Sequence, residues 1–269
     1  MNPPQVAPQP PSVEGSMAEL VHSPGGMPLH DTIVEAVLNF VTTPIQLDDA
    51  LRIIEKDLGP SIAPTYPLIK KLFAPASHNP TGINVAPLSQ QAQIGFLFTS
   101  ADGKCLVQVR ADGIALSRLR PYRGWEQLRD ELLRLFDLYQ QHLAAHAITT
   151  VGTRYLNHMP IPESASMEKY LTCYPQVGAS FPQVLVNYGY RVVLPLDQNL
   201  NLVTISIAPA VPEKRGWANI LLDLDFSVRR DEAIELFDQL EHIRRAKDQV
   251  YLDAMTDEMK QVLNAGSHL

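Results

Sequence analysis

Apolar residues recur at strand or helix spacing over most of the chain, beginning with DTIVEAVLNFVT (31–42). Both alternating sets of positions in that segment are rich in apolar residues, which predicts a strand. A helix is predicted over 47–59, because Leu47, Leu51, Ile54 and Leu58 recur at helical spacing and Gly59-Pro60 follow as a stop signal. Prolines are then so frequent between residues 60 and 92 that the only regular structure predicted is a helical turn at LIKKLF (68–73).

A hairpin is the next predicted unit. The segments AQIGFLFTS (92–100) and KCLVQVR (104–110) read as strands joined through the turn signal Asp102-Gly103, and IALSRL (114–119) reads as a third strand. An amphipathic helix begins at Trp125, because one stripe of large apolar residues recurs three or four positions apart. The stripe is Trp125, Leu128, Leu132, Leu135, Tyr139 and Leu143. Another strand is predicted at 147–159.

The second half of the chain repeats this plan. Strands are predicted at YRVVLPL (190–196), LVTISIAP (202–209) and WANILLDLDFSV (217–228). A long helix is predicted to start near Asp231, and Thr256-Asp257 is typical of the cap of a short final helix. The long helix is expected to bury Ile234, Phe237, Leu240 or Ile243, and Val250. Hairpin–strand–helix therefore occurs twice, at about 93–143 and 188–252, and an internal duplication is a hypothesis that rests on this element order.

These elements predict an α+β fold in which amphipathic helices cover one face of an antiparallel sheet, or of two abutting sheets. The order of elements in the first half is close to a ferredoxin-like layout with one added strand. The predicted organisation is a disordered Pro-rich leader (1–28), an N-terminal α+β half (29–160), a connecting segment (161–187) and a C-terminal β-β-β-α half (188–269).

Composition narrows the function classes. The chain has 269 residues and a formal net charge of −7, which argues against a broad surface for nucleic acid, because such surfaces need excess cations. Its two cysteines are expected to be free thiols, as in a reducing compartment. No secretory signal or membrane-spanning apolar stretch is visible, so a cytoplasmic protein without a membrane contact is expected.

One cluster of residues stands out as a candidate binding site for a ligand or partner. Arg118, Arg120, Tyr122 and Arg123 follow a predicted strand, and Arg154 and Tyr155 lie on a later one. Gathered together, they would form a cationic, aromatic-lined site for a phosphate, a carboxylate or a stacked base. The alternative is structural, in which the arginines pair with acids around the start of the helix, and this reading is favoured.

No complete catalytic set or cofactor motif is visible, so no catalytic residue, cofactor or metal is predicted. His142 and His146 lack further ligands at a suitable spacing, and Cys105 and Cys173 lack a neighbouring base. Two acids on one side of a strand, Asp223 and Asp225, are the outside candidates for a metal, although the solvent face of a half-buried sheet is the favoured explanation because no third ligand is visible.

Four segments resemble a sporadically distributed family of uncharacterised bacterial proteins of about this length. They are IVEAV (33–37), QVRADGIALSRLRPYRGW (108–125), RYLNH (154–158) and the helix from His242 to Asp257. The chain departs from the family pattern at Ser117, where Asn is usual, at His158, where Arg is usual, and within the last segment. The resemblance supplies no catalytic residue, and it implies a bacterial protein from a mobile or accessory locus, such as a defence or toxin–antitoxin locus.

The sequence therefore favours a non-enzymatic binding or regulatory protein that acts through a protein partner. The first alternative is a small-molecule binder with an apolar cavity between the sheet and the C-terminal helix, and with Arg154 or Tyr155 at the mouth. The second is a metal-dependent nuclease or nucleotide-handling enzyme that uses Asp223 and Asp225 with the arginine cluster. The pattern does not indicate an oligomeric state.

Overall fold

The computed structural model describes residues 32–74, 92–143, 147–182, 185, 187–197 and 201–265. The predicted leader (1–28) lies outside these residues. Nine strands are described: β1 (Ile33–Thr42), β2 (Leu68–Phe73), β3 (Gln93–Thr99), β4 (Cys105–Arg110), β5 (Gly113–Leu119), β6 (Ile148–Pro162), β7 (Tyr190–Pro195), β8 (Leu202–Ala210) and β9 (Trp217–Arg229).

All nine strands belong to one sheet in the order β2-β3-β4-β5-β1-β6-β9-β8-β7, and every neighbouring pair is antiparallel. The two halves of the chain meet at the centre, where β1 pairs with β6 over the register from Ala36–Tyr155 to Phe40–Val151. The α+β prediction is confirmed, and the choice between one sheet and two is decided in favour of one.

Helices lie on one face of this sheet. They are α1 (Leu47–Ile53), a π-helical turn (Ile54–Leu58), α2 (Gly59–Ile62), α3 (Trp125–His142), α4 (Leu236–Asp253) and α5 (Asp257–Ala265), with a 3-10 turn at Met167–Lys169. Phe40 of β1 meets Phe136 of α3 edge-on, with ring centroids 5.0 Å apart. Tyr155 of β6 meets Lys247 of α4 on the same side of the sheet. We call this side the helix face and the opposite side the open face.

The core fills the space between the helix face and the helices. Strand alternation turns every second residue toward the helices, and these residues are fully buried in the central strands, as Leu38, Leu224 and Phe226 are. The stripe predicted for α3 is confirmed, since all six of its residues, from Trp125 to Leu143, are buried. One hydrophobic core therefore spans both halves.

The order of strands is mirrored about the central β1–β6 pair. Moving outward, β5, β4 and β3 lie on one side and β9, β8 and β7 on the other, and each set of three is followed by a long helix, α3 or α4. The repeated hairpin–strand–helix unit is thus present in three dimensions, and β6 supplies the opening strand of the second unit. Duplication as the origin of the repeat stays a hypothesis.

The segment LIKKLF (68–73) is a strand, so the predicted helical turn there is wrong. It pairs with β3 from Leu68–Thr99 to Leu72–Gly95, and this pairing outweighs the helix-like spacing of its apolar residues. Because LIKKLF is extended, the first half has two strands, β2 and β3, in addition to the β-α-β-β-α-β order of a ferredoxin-like unit.

The first helical segment does not end at Gly59-Pro60. The chain continues through the π-helical turn into α2, where Pro60 occupies the first turn and its missing N–H costs no helical hydrogen bond. The buried apolar side chains of the segment from α1 to α2 are those of Ala50, Ile54, Leu58 and Ile62, while Leu47 is exposed.

The start predicted for the long C-terminal helix is also wrong. Helix α4 begins at Leu236 and buries Leu240 and Ile243, as expected, but Ile234 and Phe237 are exposed. The guanidinium of Arg129 lies 4.5 Å from the centroid of the Phe237 ring, so this aromatic residue packs against a cation and not in the core. The predicted cap of α5 is present, because the Thr256 hydroxyl accepts a hydrogen bond from the Met259 N–H at 3.3 Å.

No helix among the described residues is both long and apolar enough to cross a membrane.

Candidate binding surface

The predicted arginine–tyrosine cluster is divided by the sheet. Strands β5 and β6, which carry Arg118 and Arg154, are not neighbours, because β1 lies between them. Arg118 and Tyr155 both pair with Ala36 and so share the helix face, whereas Arg154 pairs with Val37 and lies on the open face. The six residues therefore do not form a single cationic site.

Two of the predicted residues, Tyr122 and Tyr155, do meet on the helix face. Their hydroxyl oxygens are 3.1 Å apart, and their rings are nearly perpendicular with centroids 5.8 Å apart. Burial raises the pKa of Tyr122 to about 12 and raises the pKa of Tyr155 as well. Lys247 of α4 covers the Tyr155 ring, with its ammonium nitrogen 4.4 Å from the ring centroid. Tyr122, Tyr155 and Lys247 therefore pack together between α4 and strand β6.

Arg120 joins the two halves at one end of the sheet. Its Nη1 donates to Glu213 Oε1 at 3.0 Å, and the same carboxylate oxygen lies 2.9 Å from His158 Nδ1. The contacts from His158 and Arg120 lower the pKa of Glu213. Arg123 is exposed, and the structure gives its side chain no hydrogen bond or ion pair within the described residues.

The open face carries apolar side chains on all nine strands. They alternate with the core residues and share a face by register, and none of them is fully buried. Within the described part of the chain, no helix packs on this side. The apolar residues are Val37, Val41, Leu68, Leu72, Leu97, Leu106, Leu119, Leu156, Val193, Leu202 and Leu221.

Charged groups lie at the centre of the open face. Arg154 donates two parallel hydrogen bonds to Asp223 on β9, from Nε to Oδ1 at 2.8 Å and from Nη2 to Oδ2 at 2.7 Å. Asp225 on β9 lies directly opposite Arg154 on β6. Burial raises the pKa of Asp225 above its usual value, and the positive charge of Arg154 offsets only part of this rise. Nearby, the Ser117 hydroxyl donates to Glu35 Oε1. The open face therefore combines apolar and charged groups.

The outside candidates for a metal, Asp223 and Asp225, both contact Arg154 in the structure. The carboxylate of Asp223 has both oxygens bonded to Arg154, which leaves Asp225 as a single acid beside a fixed cation. Among the described residues, no group of three or more His, Cys, Asp or Glu side chains is placed to hold a metal ion. His142 ends helix α3, and His146 lies outside the described residues.

A depression of about 680 Å³ opens where β9 connects to α4. Most of its lining residues are charged or polar, and they include neither Arg154 nor Tyr155, which were predicted at the mouth of an apolar cavity. Among the lining residues are Arg229, Arg230, Asp231, Asp238, His242 and Arg245. The arginine guanidinium of Arg230 is turned back on the loop, where it donates to the Ile234 carbonyl at 2.7 Å and to Gln239 Oε1 at 2.9 Å.

The apolar character of the open face was not predicted from the sequence, although a signal was present. A sheet with one solvated face reads as a clean alternation of apolar and polar residues, whereas strands covered on both faces read as continuous apolar runs. The runs GFLF (95–98), CLV (105–107) and ILL (220–222) are of the second kind. The position of Lys247, whose side chain is only 13% exposed, was not predicted because a lysine in an amphipathic helix is ordinarily solvated.

A comparison with protein-family models finds none that matches this chain. A comparison with curated proteins finds no significant match either.

Proposed function

We propose that this protein is a non-enzymatic binding protein that acts through a protein partner, and that the open face is its binding surface. The observation that carries the proposal is the presence of half-exposed Leu or Val side chains on every strand of this face, with no described helix over them. Contiguous exposed apolar surface is rare on proteins that act alone, and it typically marks an interaction site.

The extent of the face supports a protein as the partner. Nine strands spaced about 4.8 Å apart span roughly 40 Å, which exceeds the width of a small-molecule site. A face of this width and about 20 Å of strand length offers about 800 Å², the area that each partner contributes to a standard protein interface. The net charge of −7 disfavours a nucleic acid as the alternative large partner.

The Arg154–Asp223 pair supports a specific contact at the centre of this face. Arginine is enriched among the residues that dominate interface energies, and a bidentate pair presents it in one orientation. Of the six residues predicted to bind a ligand or partner, Arg154 is the one whose strand position is on the open face. Arg120 lies near the rim of the open face, where it hydrogen-bonds Glu213, which also contacts His158.

The test is affinity purification of the tagged chain from its native host, with a charge placed on the open face. In Leu156→Lys, the new cation would lie across from Glu35 on β1 and Asp223 on β9, so the sheet tolerates it while the apolar contact is lost. We expect the wild-type chain to recover a protein in stoichiometric amount and Leu156→Lys to bind it at least about tenfold more weakly.

The matched control is Leu47→Lys, at an exposed leucine of α1 that lies away from the open face. This variant is expected to recover the partner as the wild-type chain does, and circular dichroism checks that both variants are folded. Equal recovery by Leu156→Lys, or no stoichiometric partner at all, would overturn the proposal.

We propose in addition that the protein is cytoplasmic and belongs to a bacterial defence or toxin–antitoxin locus. Cys105 and Cys173 are both free, which supports a reducing compartment. The resemblance of four segments to an uncharacterised, sporadically distributed bacterial family supports the locus. Sequencing the genes on either side tests this second part, because a locus of housekeeping genes would contradict it.

A further inference from the structure

The edge strand β2 is the most exposed strand that the structure describes. Five of its six residues are exposed, and the sixth, Leu72, is half-buried. Leu68, on the open face, is 51% exposed, and Ile69, on the helix face, is 48% exposed. Strand β2 therefore shows apolar side chains on both of its faces, which its role in the sheet does not explain.

One side of β2 also has no partner strand among the described residues. It pairs with β3 on one side only and ends the strand order of the sheet. Alternate N–H and C=O groups of an edge strand point away from the sheet, and they form a template on which another extended segment can pair. Such pairing gives affinity through main-chain hydrogen bonds and specificity through side chains.

Two adjacent lysines give this edge a charge. Lys70 faces Leu97 and Lys71 faces Phe96 on β3, so neither has an acid opposite, and neither forms an ion pair within the described residues. Because side chains alternate along a strand, one ammonium lies above the sheet and the other below it. The strand itself has no acidic residue, although the chain as a whole is acidic.

A second copy of this chain gives neither lysine an acid in an antiparallel pair of two β2 strands, because residues 66–74 contain no acid. In an antiparallel pair of two β2 strands related by a two-fold axis normal to the sheet, the register centred on Lys70 places that lysine opposite itself. The register centred on Lys71 does the same for Lys71. Like charges directly opposite each other destabilise a strand pair.

We propose that β2 is a docking edge for an extended, acidic segment of a partner protein, which adds to the sheet as a tenth strand. Two adjacent acids in that segment meet Lys70 on one face and Lys71 on the other. Apolar residues beside the acids contact Leu68 and Ile69. This site is the edge of the sheet and overlaps the open face only at β2, and it does not depend on the function proposed for that face.

The probe is a labelled short peptide in which valines flank two adjacent glutamates, together with its counterpart in which lysines replace the glutamates. Fluorescence anisotropy measures both against the full chain. We expect the acidic peptide to bind and the basic peptide to bind at least about tenfold more weakly, because each cross-strand charge pair changes from attraction to repulsion. Hydrogen exchange is expected to slow at residues 68–73 when the acidic peptide is bound.

The charge-reversed variant Lys70→Glu/Lys71→Glu is expected to bind the basic peptide more tightly than the acidic peptide. The matched control Lys56→Glu/Lys104→Glu, at two exposed lysines outside β2, is expected to keep the wild-type preference. Leu156→Lys is also expected to bind the peptide normally, which separates this site from the open face. Failure of the acidic peptide to bind, equal binding by the β2 variant, or a dimer of the chain that excludes the peptide would each overturn the proposal.

Discussion

The ammonium nitrogen of Lys247 lies 4.4 Å from the centroid of the Tyr155 ring, in the interior between α4 and the centre of the sheet. The Lys247 ammonium also forms an ion pair with the carboxylate of the neighbouring Asp248. Burial lowers the pKa of Lys247, so the charged form is held in the folded protein at a cost.

Replacing Lys247 by methionine is therefore expected to stabilise the protein at neutral pH. Methionine has a similar volume and removes a charge that is unfavourable in the folded protein, as the lowered pKa of Lys247 shows, while Arg244 Nε remains 3.9 Å from the Asp248 carboxylate. Urea unfolding at pH 7 measures the change. A variant that is less stable than the wild-type protein would show that the contacts with Tyr155 and Asp248 outweigh the cost of burying the charge.

The gain from Lys247→Met is expected to depend on pH in a defined direction. The pKa of Lys247 is lower in the folded state than in the unfolded state. At a pH between these two pKa values the unfolded chain therefore binds more protons than the folded protein, so the free energy of unfolding increases with pH. The wild-type protein then gains stability relative to the variant until pH passes the unfolded pKa of about 10.4. Lys56→Met, at an exposed lysine, is the control and is expected to show no such convergence.

The Arg154–Asp223 pair is expected to be energetically coupled. Arg154→Ala would leave the Asp223 carboxylate, whose side chain is only 14% exposed, without its two hydrogen bonds, so the free energy of unfolding falls by about 1–2 kcal/mol. A double-mutant cycle with Asp223→Ala is expected to give a coupling energy of about 1 kcal/mol.

The matched comparison for that cycle is the exposed pair Arg52–Asp49, whose closest atoms are 3.5 Å apart. Its coupling energy is expected to stay below about 0.5 kcal/mol, because both side chains are largely solvated. Equal coupling in the two pairs would mean that the Arg154–Asp223 contact does not organise the open face.

The amide of Gln239 is expected to control the connection between β9 and α4. This buried side chain donates to the Arg229 carbonyl at 2.6 Å and accepts hydrogen bonds from Arg230 Nη1 and the Asp231 N–H. Gln239→Ala removes these bonds and is expected to cost about 2 kcal/mol of stability. Hydrogen exchange should accelerate first at residues 230–235.

The control for Gln239 is Gln249→Ala, on the same helix. Gln249 is exposed, and Asp253 is the only hydrogen-bond partner of its side chain among the described residues, so its loss is expected to change stability by less than about 0.5 kcal/mol. If exchange in the connection does not respond to Gln239→Ala, the loop is held by other contacts.

Local patterns were sufficient where a single element determines its own buried side. The stripe of α3 from Trp125 to Leu143 was predicted correctly, because a helix with one apolar stripe has only one way to bury it. The strands β3, β4, β5, β8 and β9 were also predicted, since turn signals and β-branched residues mark them locally. The segment LIKKLF was not, because six residues between prolines fit a helical turn or a strand equally well until β3 pairs with them.

The sequence by itself determined the α+β class, the repeated hairpin–strand–helix unit and most of the core, because these follow from side-chain periodicity along the chain. Only the tertiary structure decided that β1 separates β5 from β6 and that β2 lies at an edge. Alternation along β6 already required Arg154 and Tyr155 to lie on opposite faces, but only the packing of α4 decided that Tyr155 is the buried one, beside Tyr122 and Lys247. Strand order is set by pairing between residues far apart in the chain, and the periodicity of one strand does not encode its neighbours.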